Sequence, residues 1–219
     1  MESIALIFDH DGTLVDSESL HFQCWQEVMG LFNIDITEQE YIQGHNGIPT
    51  LQNAEVFVRQ YRLSETPESL AARKQDLFKR RSVTGAPKLM PTVMDTLALA
   101  RSRGFKMGIA TGAGREDLDR SIVAHGLSEC LDVTVTRSEV PNGKPAPDVY
   151  LLACERLGVA PQQSFAFEDT AAGVAAAKAA GLTCIAIPND YSKQQDLSSA
   201  DQLCISLMEA YRYVIEQLG

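Results

Sequence analysis

Four acids fall within FDHDGTLVDSE, residues 8–18, directly after an apolar run. Asp9 and Asp11 are two residues apart, and residues i and i+2 of an extended chain point to the same side. Their carboxylates are therefore expected to face one cavity. Two carboxylates that close cannot both ionise comfortably unless a cation is present or a proton is shared. An ionised Asp beside a protonated one supplies a nucleophile and a general acid. Gly12 lets the chain turn sharply behind them.

Partners for this pair occur further along. ATGAGRED (110–117) offers the Thr111 hydroxyl, the Gly112 backbone and a helix N-terminus, which together suit an oxyanion. GKPAPD (143–148) places Lys144 beside two prolines just before a helical pattern, and FEDT (167–170) puts Glu168 and Asp169 at the end of an apolar run. Together these supply one cation, one hydroxyl, one helix dipole and four carboxylates. Hard oxygen ligands with open positions suit Mg²⁺, which keeps several waters and meets substrate phosphate.

The elements that must position these groups follow from periodicity. Short apolar runs at 3–8, 105–110, 132–136, 164–168 and 182–187 read as buried strands. Helical patterns fill 92–104, 114–126, 146–158 and 170–181, each stopping at Gly. Strand alternating with helix implies an α/β fold with a doubly wound parallel sheet. In such sheets ligands gather at the carboxyl ends of the strands, where all four segments lie. Between Val15 and Gly85 the pattern is helical only, over 17–32 (with Ser17 as N-cap), 50–61 and 67–81. This predicts a helical lobe at 16–85 inserted into a core of 1–15 and 86–219, with VTGAPKLMP (83–91) as return linker.

Composition narrows the partners. The 219 residues carry a net charge of −10 and no basic run, which argues against nucleic acid or an anionic membrane. Five scattered cysteines without a CxxC pair read as reduced thiols rather than a disulfide framework or zinc site. No apolar stretch approaches about 18 residues. The expectation is a cytoplasmic protein, a monomer by default.

FDHDGTLVDSE, IATG, GKPAPD and FEDTAAG resemble, in order and approximate spacing, the motifs of the haloacid-dehalogenase-like hydrolases, in the subgroup with a helical cap after the first motif. The resemblance implies that Asp9 is the nucleophile, becoming an aspartyl-phosphate, and a metal ligand. It implies that Asp11 is general acid and then base, its main-chain oxygen also meeting Mg²⁺. The dehalogenases of the family lack the second Asp, so Asp11 favours phosphoryl chemistry. Thr111, with the N–H of Gly112 and Ala113, would hold the phosphate; Lys144 would neutralise it; Asp169 and Glu168 would complete the metal site. A non-catalytic phosphate sensor is expected to have lost Asp9, Asp11 or Lys144, and all are present.

In the lobe, HFQCW resembles the HxxxW cap segment of β-phosphoglucomutase and related sugar phosphatases, where the His, here His21, helps control the acid. A buried structural His remains the alternative, because His21 shares a helical stripe with Trp25, Val28 and Phe32. Lys74 matches a cap Lys of those relatives, with an exposed helix charge as its alternative. The cap loop QGHNGIPT (43–50) has no Arg with which to grip a second phosphate, as a mutase must. This favours hydrolysis of a sugar or polyol phosphate, with His45 or Arg59 as possible stand-ins for the Arg.

Overall fold

The computed structural model describes residues 3–46 and 48–219. The chain divides into two compact units: residues up to Asp16 with Lys88–Gly219, and Ser17–Pro87.

The first unit is built on β1 (Ala5–Phe8), β2 (Val15–Asp16), β3 (Lys88–Leu89), β4 (Lys106–Ala110), β5 (Val133–Val135), β6 (Ser164–Glu168), β7 (Thr183–Ala186) and β8 (Gln202–Leu203). Six of these form one sheet in the order β5-β4-β1-β6-β7-β8, every pairing parallel. β1 is central and buried on both faces, as a strand covered by helices on each side must be. Ala5 and Ile7 join the apolar layer beneath the helices at Asp148–Leu157 and Ala171–Ala180. Leu6 and Phe8 join the opposite layer, with Val93, Leu97, Leu207 and Val214. Phe8 stacks on Phe167 of β6 with ring centroids 4.7 Å apart. This is the expected doubly wound α/β architecture.

The second unit is helical: α1 (Ser17–Gly30), α2 (Glu38–Gly44), α3 (Thr50–Tyr61) and α4 (Pro67–Thr84). Thr37 and Glu40 form a reciprocal capping box on α2, and Thr66 caps α4 ahead of Pro67. Trp25 and Phe57 pack at 4.9 Å as part of its core.

Several readings need correction. Ser17 is the first residue of α1 and not its cap; its hydroxyl is buried without a hydrogen-bond partner among the described residues. α1 stops at Gly30, and Asn33 turns the chain at φ +59°, so Phe32 lies outside the helical stripe and is half-buried. The linker region is not irregular throughout, because β3 pairs antiparallel with β2 (Val15 with Leu89, Asp16 with Lys88). The periodicity also omitted α2, β8 and a helix at Leu207–Leu218. No described helix is long and apolar enough to cross a membrane.

Continuing in chain order, the helices of the first unit are α5 (Val93–Ser102), α6 (Arg115–His125), α7 (Asp148–Leu157), α8 (Ala171–Ala180) and α9 (Leu207–Leu218).

Candidate active site

The sheet register places the carboxylates. Phe8 pairs with Phe167, and the Asp9 N–H donates to the Phe167 carbonyl at 2.9 Å, carrying the ladder one residue beyond β1. Asp9 therefore stands at a strand end beside Glu168, the last residue of β6, and Asp169. These three buried residues can each offer an oxygen within 4.8 Å of the others. Lys144, from the loop between β5 and α7, donates to Asp9 Oδ1 at 2.6 Å and to Glu168 Oε1 at 2.5 Å. Tyr150 of α7 donates to the same Glu168 oxygen at 2.8 Å, and its ring centroid lies 5.0 Å from Lys144 Nζ. Glu168 Oε2 accepts from the Asp169 N–H at 3.1 Å and the Thr170 hydroxyl at 3.3 Å.

Two of these three buried carboxylates thus share one ammonium. Burial pushes Asp9 up to about 7; Lys144 opposes this, while Glu168 and Asp11 add to it. Burial likewise raises Asp169 well above the usual carboxylate range, with Asp9 and Glu168 reinforcing the effect. Burial acts against the charge on Lys144, but its two carboxylate partners outweigh it and keep the ammonium protonated. Asp169 Oδ1 is buried with no hydrogen-bond partner among the described residues. An all-oxygen donor set with excess negative charge and an open oxygen fits a hard divalent cation.

Asp11 is placed differently. Its Oδ2 lies 3.4 Å from His10 Nδ1 and 3.5 Å from the Thr111 hydroxyl, and its side chain is 38% exposed. Among the described residues its carboxylate is not part of the three-acid cluster, which leaves the main-chain oxygen as the Asp11 atom expected to meet a metal. His10 is buried, with Nε2 at 2.9 Å from the Ser121 hydroxyl. Burial acts to lower its pKa, but Asp11 outweighs that and raises it. Thr111 follows β4, where its N–H reaches the Val135 carbonyl at 3.0 Å and its hydroxyl accepts from Ala113 N–H at 3.0 Å. A Cβ on Gly112 would meet nothing within 4 Å, which leaves room for a ligand against that backbone. Gly12 is required by both conformation and space: its φ is +80°, and a Cβ there would overlap the Asp169 carboxylate and come within 2.8 Å of Asn189 Nδ2.

The family model for haloacid dehalogenase-like hydrolases matches residues 6–187, most of the chain. The chain is a haloacid dehalogenase-like hydrolase. It is 34% identical over 182 residues to fructose-1-phosphate phosphatase YqaB of Escherichia coli (strain K12), covering 82% of this chain and 94% of that one. It is 32% identical over 231 aligned residues to protein CbbY of Rhodobacter capsulatus, covering 100% of both. Among solved structures it is similar to a CbbY variant from Rhodobacter sphaeroides in complex with xylulose-(1,5)bisphosphate. That match has a TM-score of 0.73 and 28% identity, covering 93% of this chain and 94% of that one.

Within this hydrolase's helical unit, His21 and Lys74 come together. Lys74 Nζ bonds His21 Nδ1, the His21 ring stacks on Phe78 with centroids 4.3 Å apart, and Lys74 Nζ lies 4.9 Å from the Phe78 centroid. Lys74 is buried, so it is not an exposed helix charge. His45 is also buried. Its Nδ1 meets Asn53 Oδ1 at 2.9 Å and its ring stacks on Phe57 at 4.1 Å. Asn53 Nδ2 donates to the carbonyls of His45 and Ile48, which leaves Oδ1 as the acceptor facing His45. Arg59 is exposed. Gly47, within GHNGIPT, lies outside the described residues.

Sequence reasoning missed His10, Ser121, Tyr150 and Asn189 around the acids. Tyr150 is part of an apolar helical stripe and reads as core. Asn189, in the turn PNDYS after β7, donates to Asp169 Oδ2 at 2.8 Å.

Proposed function

We propose that this hydrolase removes phosphate from small sugar or polyol phosphates through an aspartyl-phosphate on Asp9, with Mg²⁺ as its metal. The observation that carries the reading is the pairing of buried Asp9, at the end of the central strand, with Lys144 at 2.6 Å, while the Asp11 carboxylate is partly exposed beside His10 and Thr111. The two acids have different surroundings and therefore different tasks. The protein is a phosphoric monoester hydrolase. The sugar class rests on what YqaB is named for and on the bisphosphate held by the CbbY variant.

Asp9 attacks phosphorus as its carboxylate oxygen forms the new P–O bond. The leaving sugar oxygen takes its proton from Asp11. Water then attacks the phosphoryl group and gives its proton to Asp11, which releases inorganic phosphate and restores Asp9. Thr111 and the Gly112 N–H bind phosphate oxygens, and Lys144 offsets their charge. Asp9, the Asp11 main-chain oxygen, Asp169 and Glu168 would hold Mg²⁺. When bound, the ion draws charge from the phosphate and lets the acids ionise together. Glu168, with both oxygens already engaged, also acts by anchoring Lys144. The Ser17–Pro87 unit serves as the substrate-selecting cap, with His21 and Lys74 as its polar contacts. Neither nucleic acid nor membrane is a partner, and the protein works as a cytoplasmic monomer.

Hydrolysis is favoured over a mutase reaction because a mutase must grip two phosphates. GHNGIPT has no Arg, and its His45 is engaged by Asn53 and Phe57. Phosphorus NMR with Mg²⁺, a panel of hexose, pentose and polyol phosphates and a sugar bisphosphate primer tests this. Growth of inorganic phosphate is expected, and its loss in a folded Asp9→Asn variant. Turnover retained in that variant would remove Asp9 from its role, and conversion of a 1-phosphate to a 6-phosphate without phosphate release would establish the mutase.

A further inference from the structure

The segment after β7 crosses the end of the sheet and carries Asn189 to the acids. Asn189 Nδ2 makes two donations, to Asp169 Oδ2 at 2.8 Å and to the Gly12 carbonyl at 3.0 Å. Its Oδ1 accepts from the Tyr191 N–H at 2.8 Å and the Ser192 N–H at 3.1 Å. The Ser192 hydroxyl in turn accepts from the Asn189 N–H at 3.1 Å. The orientation of the amide is thus decided by its surroundings: two N–H groups face the oxygen and two acceptors face the nitrogen. With both donors used, Asp169 Oδ2 is held, and among the described residues the buried Oδ1 of the same carboxylate has no partner.

We propose that Asn189 is a positioning residue of the metal site, clamping the Asp169 carboxylate against the Gly12 turn so that Oδ1 stays open for the ion. The inference rests on the reading of the acids as a metal site. The physical ground is that a buried carboxylate free to rotate offers either oxygen to any donor nearby, Lys144 included. A clamp on one oxygen removes that freedom before the ion arrives. Gly12 is tied into the same device, because its carbonyl is the second acceptor and its missing Cβ makes the space the carboxylate occupies. The loops after β1, β6 and β7 are thereby joined through one side chain. Hydrogen bonds from outside the ligand set hold ligands in register in this way, and their loss weakens metal binding by about 10–100-fold.

The test is Mn²⁺ binding to the metal-stripped full chain without substrate, followed by electron paramagnetic resonance, for the wild type, Asn189→Ala, Asn189→Ser and Ser192→Ala. Serine at 189 can still accept from the N–H two residues on and keep the turn, but it does not reach Asp169. Both Asn189 variants are expected to lose affinity by about 10–100-fold. Ser192→Ala, which loosens the turn and leaves the amide, is expected to change it by less than about twofold. The Mg²⁺ concentration for half-maximal activity is expected to rise in parallel, with kcat recovering at saturating Mg²⁺. If Asn189→Ala does not fold, Asn189→Ser decides. Wild-type affinity in Asn189→Ser overturns the proposal, as does an equal loss in Ser192→Ala, which would make Asn189 a fold element of the turn. A wild type that binds no Mn²⁺ and shows no turnover overturns the reading of the site and the proposal together.

Discussion

Removing the metal is expected to invert the usual pH dependence of stability. A carboxyl whose folded-state pKa lies above its unfolded value binds more protons folded than unfolded, so its contribution is complete at low pH and is lost as pH rises through the folded value. Asp9 goes from 3.8 to about 7 on folding, chiefly by burial. At 1.36 kcal/mol per pH unit the full effect is about 4 kcal/mol. Between pH 8 and 5.5 the linkage relation assigns roughly 2 kcal/mol of it, or about 4–8 °C in Tm for a chain of this size. Asp169 and His10, both raised, act with the same sign in that window. The lowered acids act elsewhere. Burial opposes ionisation of Glu139, but Arg156, the Thr136 N–H and Arg115 outweigh it and hold it at about 2, so its contribution is lost only below its ordinary value of 4.5. Calorimetry of the EDTA-treated protein should therefore show Tm rising as pH falls from 8 to 5.5. With Mg²⁺ present the rise should flatten, because the ion stabilises the ionised acids most where protons compete least. The gap between the two curves should be widest above pH 7, and Asp9→Asn should shrink the rise. A metal-free Tm that is flat or falls on acidification would refute the reasoning.

Other perturbations probe the supports. Gly173→Ala is expected to destabilise by about 1–3 kcal/mol in urea unfolding, despite alanine's higher helix propensity, because the new Cβ would overlap the buried Glu168 carboxylate. Activity should fall with it, since Lys144 is anchored on the same group; a stabilised Gly173→Ala would count against that packing. Glu139→Gln is expected to cost about 1–2 kcal/mol at pH 7, since Glu139 joins Arg115 and Arg156 on a partly exposed surface. The difference from wild type should vanish as pH falls toward 2, and a difference independent of pH would show that charge is not its origin. Thr111→Val should keep the fold and lower kcat/KM by about 10²-fold, the scale for removing one oxyanion donor, with Thr111→Ser restoring most of it; equal kcat/KM in the two variants would dissociate the hydroxyl from phosphate binding.

The acids were legible because each follows an apolar run, and a parallel sheet sends the carboxyl ends of its strands to one edge. Asp9, Thr111, Lys144 and Glu168–Asp169 could be gathered from four separate segments on that ground alone. The rest was hidden for separate physical reasons. β8 is two residues at the sheet edge, with Leu203 half exposed, so it shows no alternation. α2 is seven residues long and leaves its mark in the Thr37–Glu40 capping box more than in its periodicity. Tyr150 is in an apolar helical stripe, and only its hydroxyl, which reaches Glu168 across 18 residues of chain, separates it from core. Asn189 reads as a turn former, and it is one, because its oxygen caps the N–H groups of Tyr191 and Ser192. Yet the rule that collected the other residues applies to β7 as well: Asn189 lies three residues beyond Ala186, its last residue, at the same edge of the sheet. A polar side chain in that position is better read by where its strand ends than by what its dipeptide usually does. Residues at this shared strand-end edge should couple to one another in metal binding. Thr37, equally well suited to a turn but placed in the helical unit, should not.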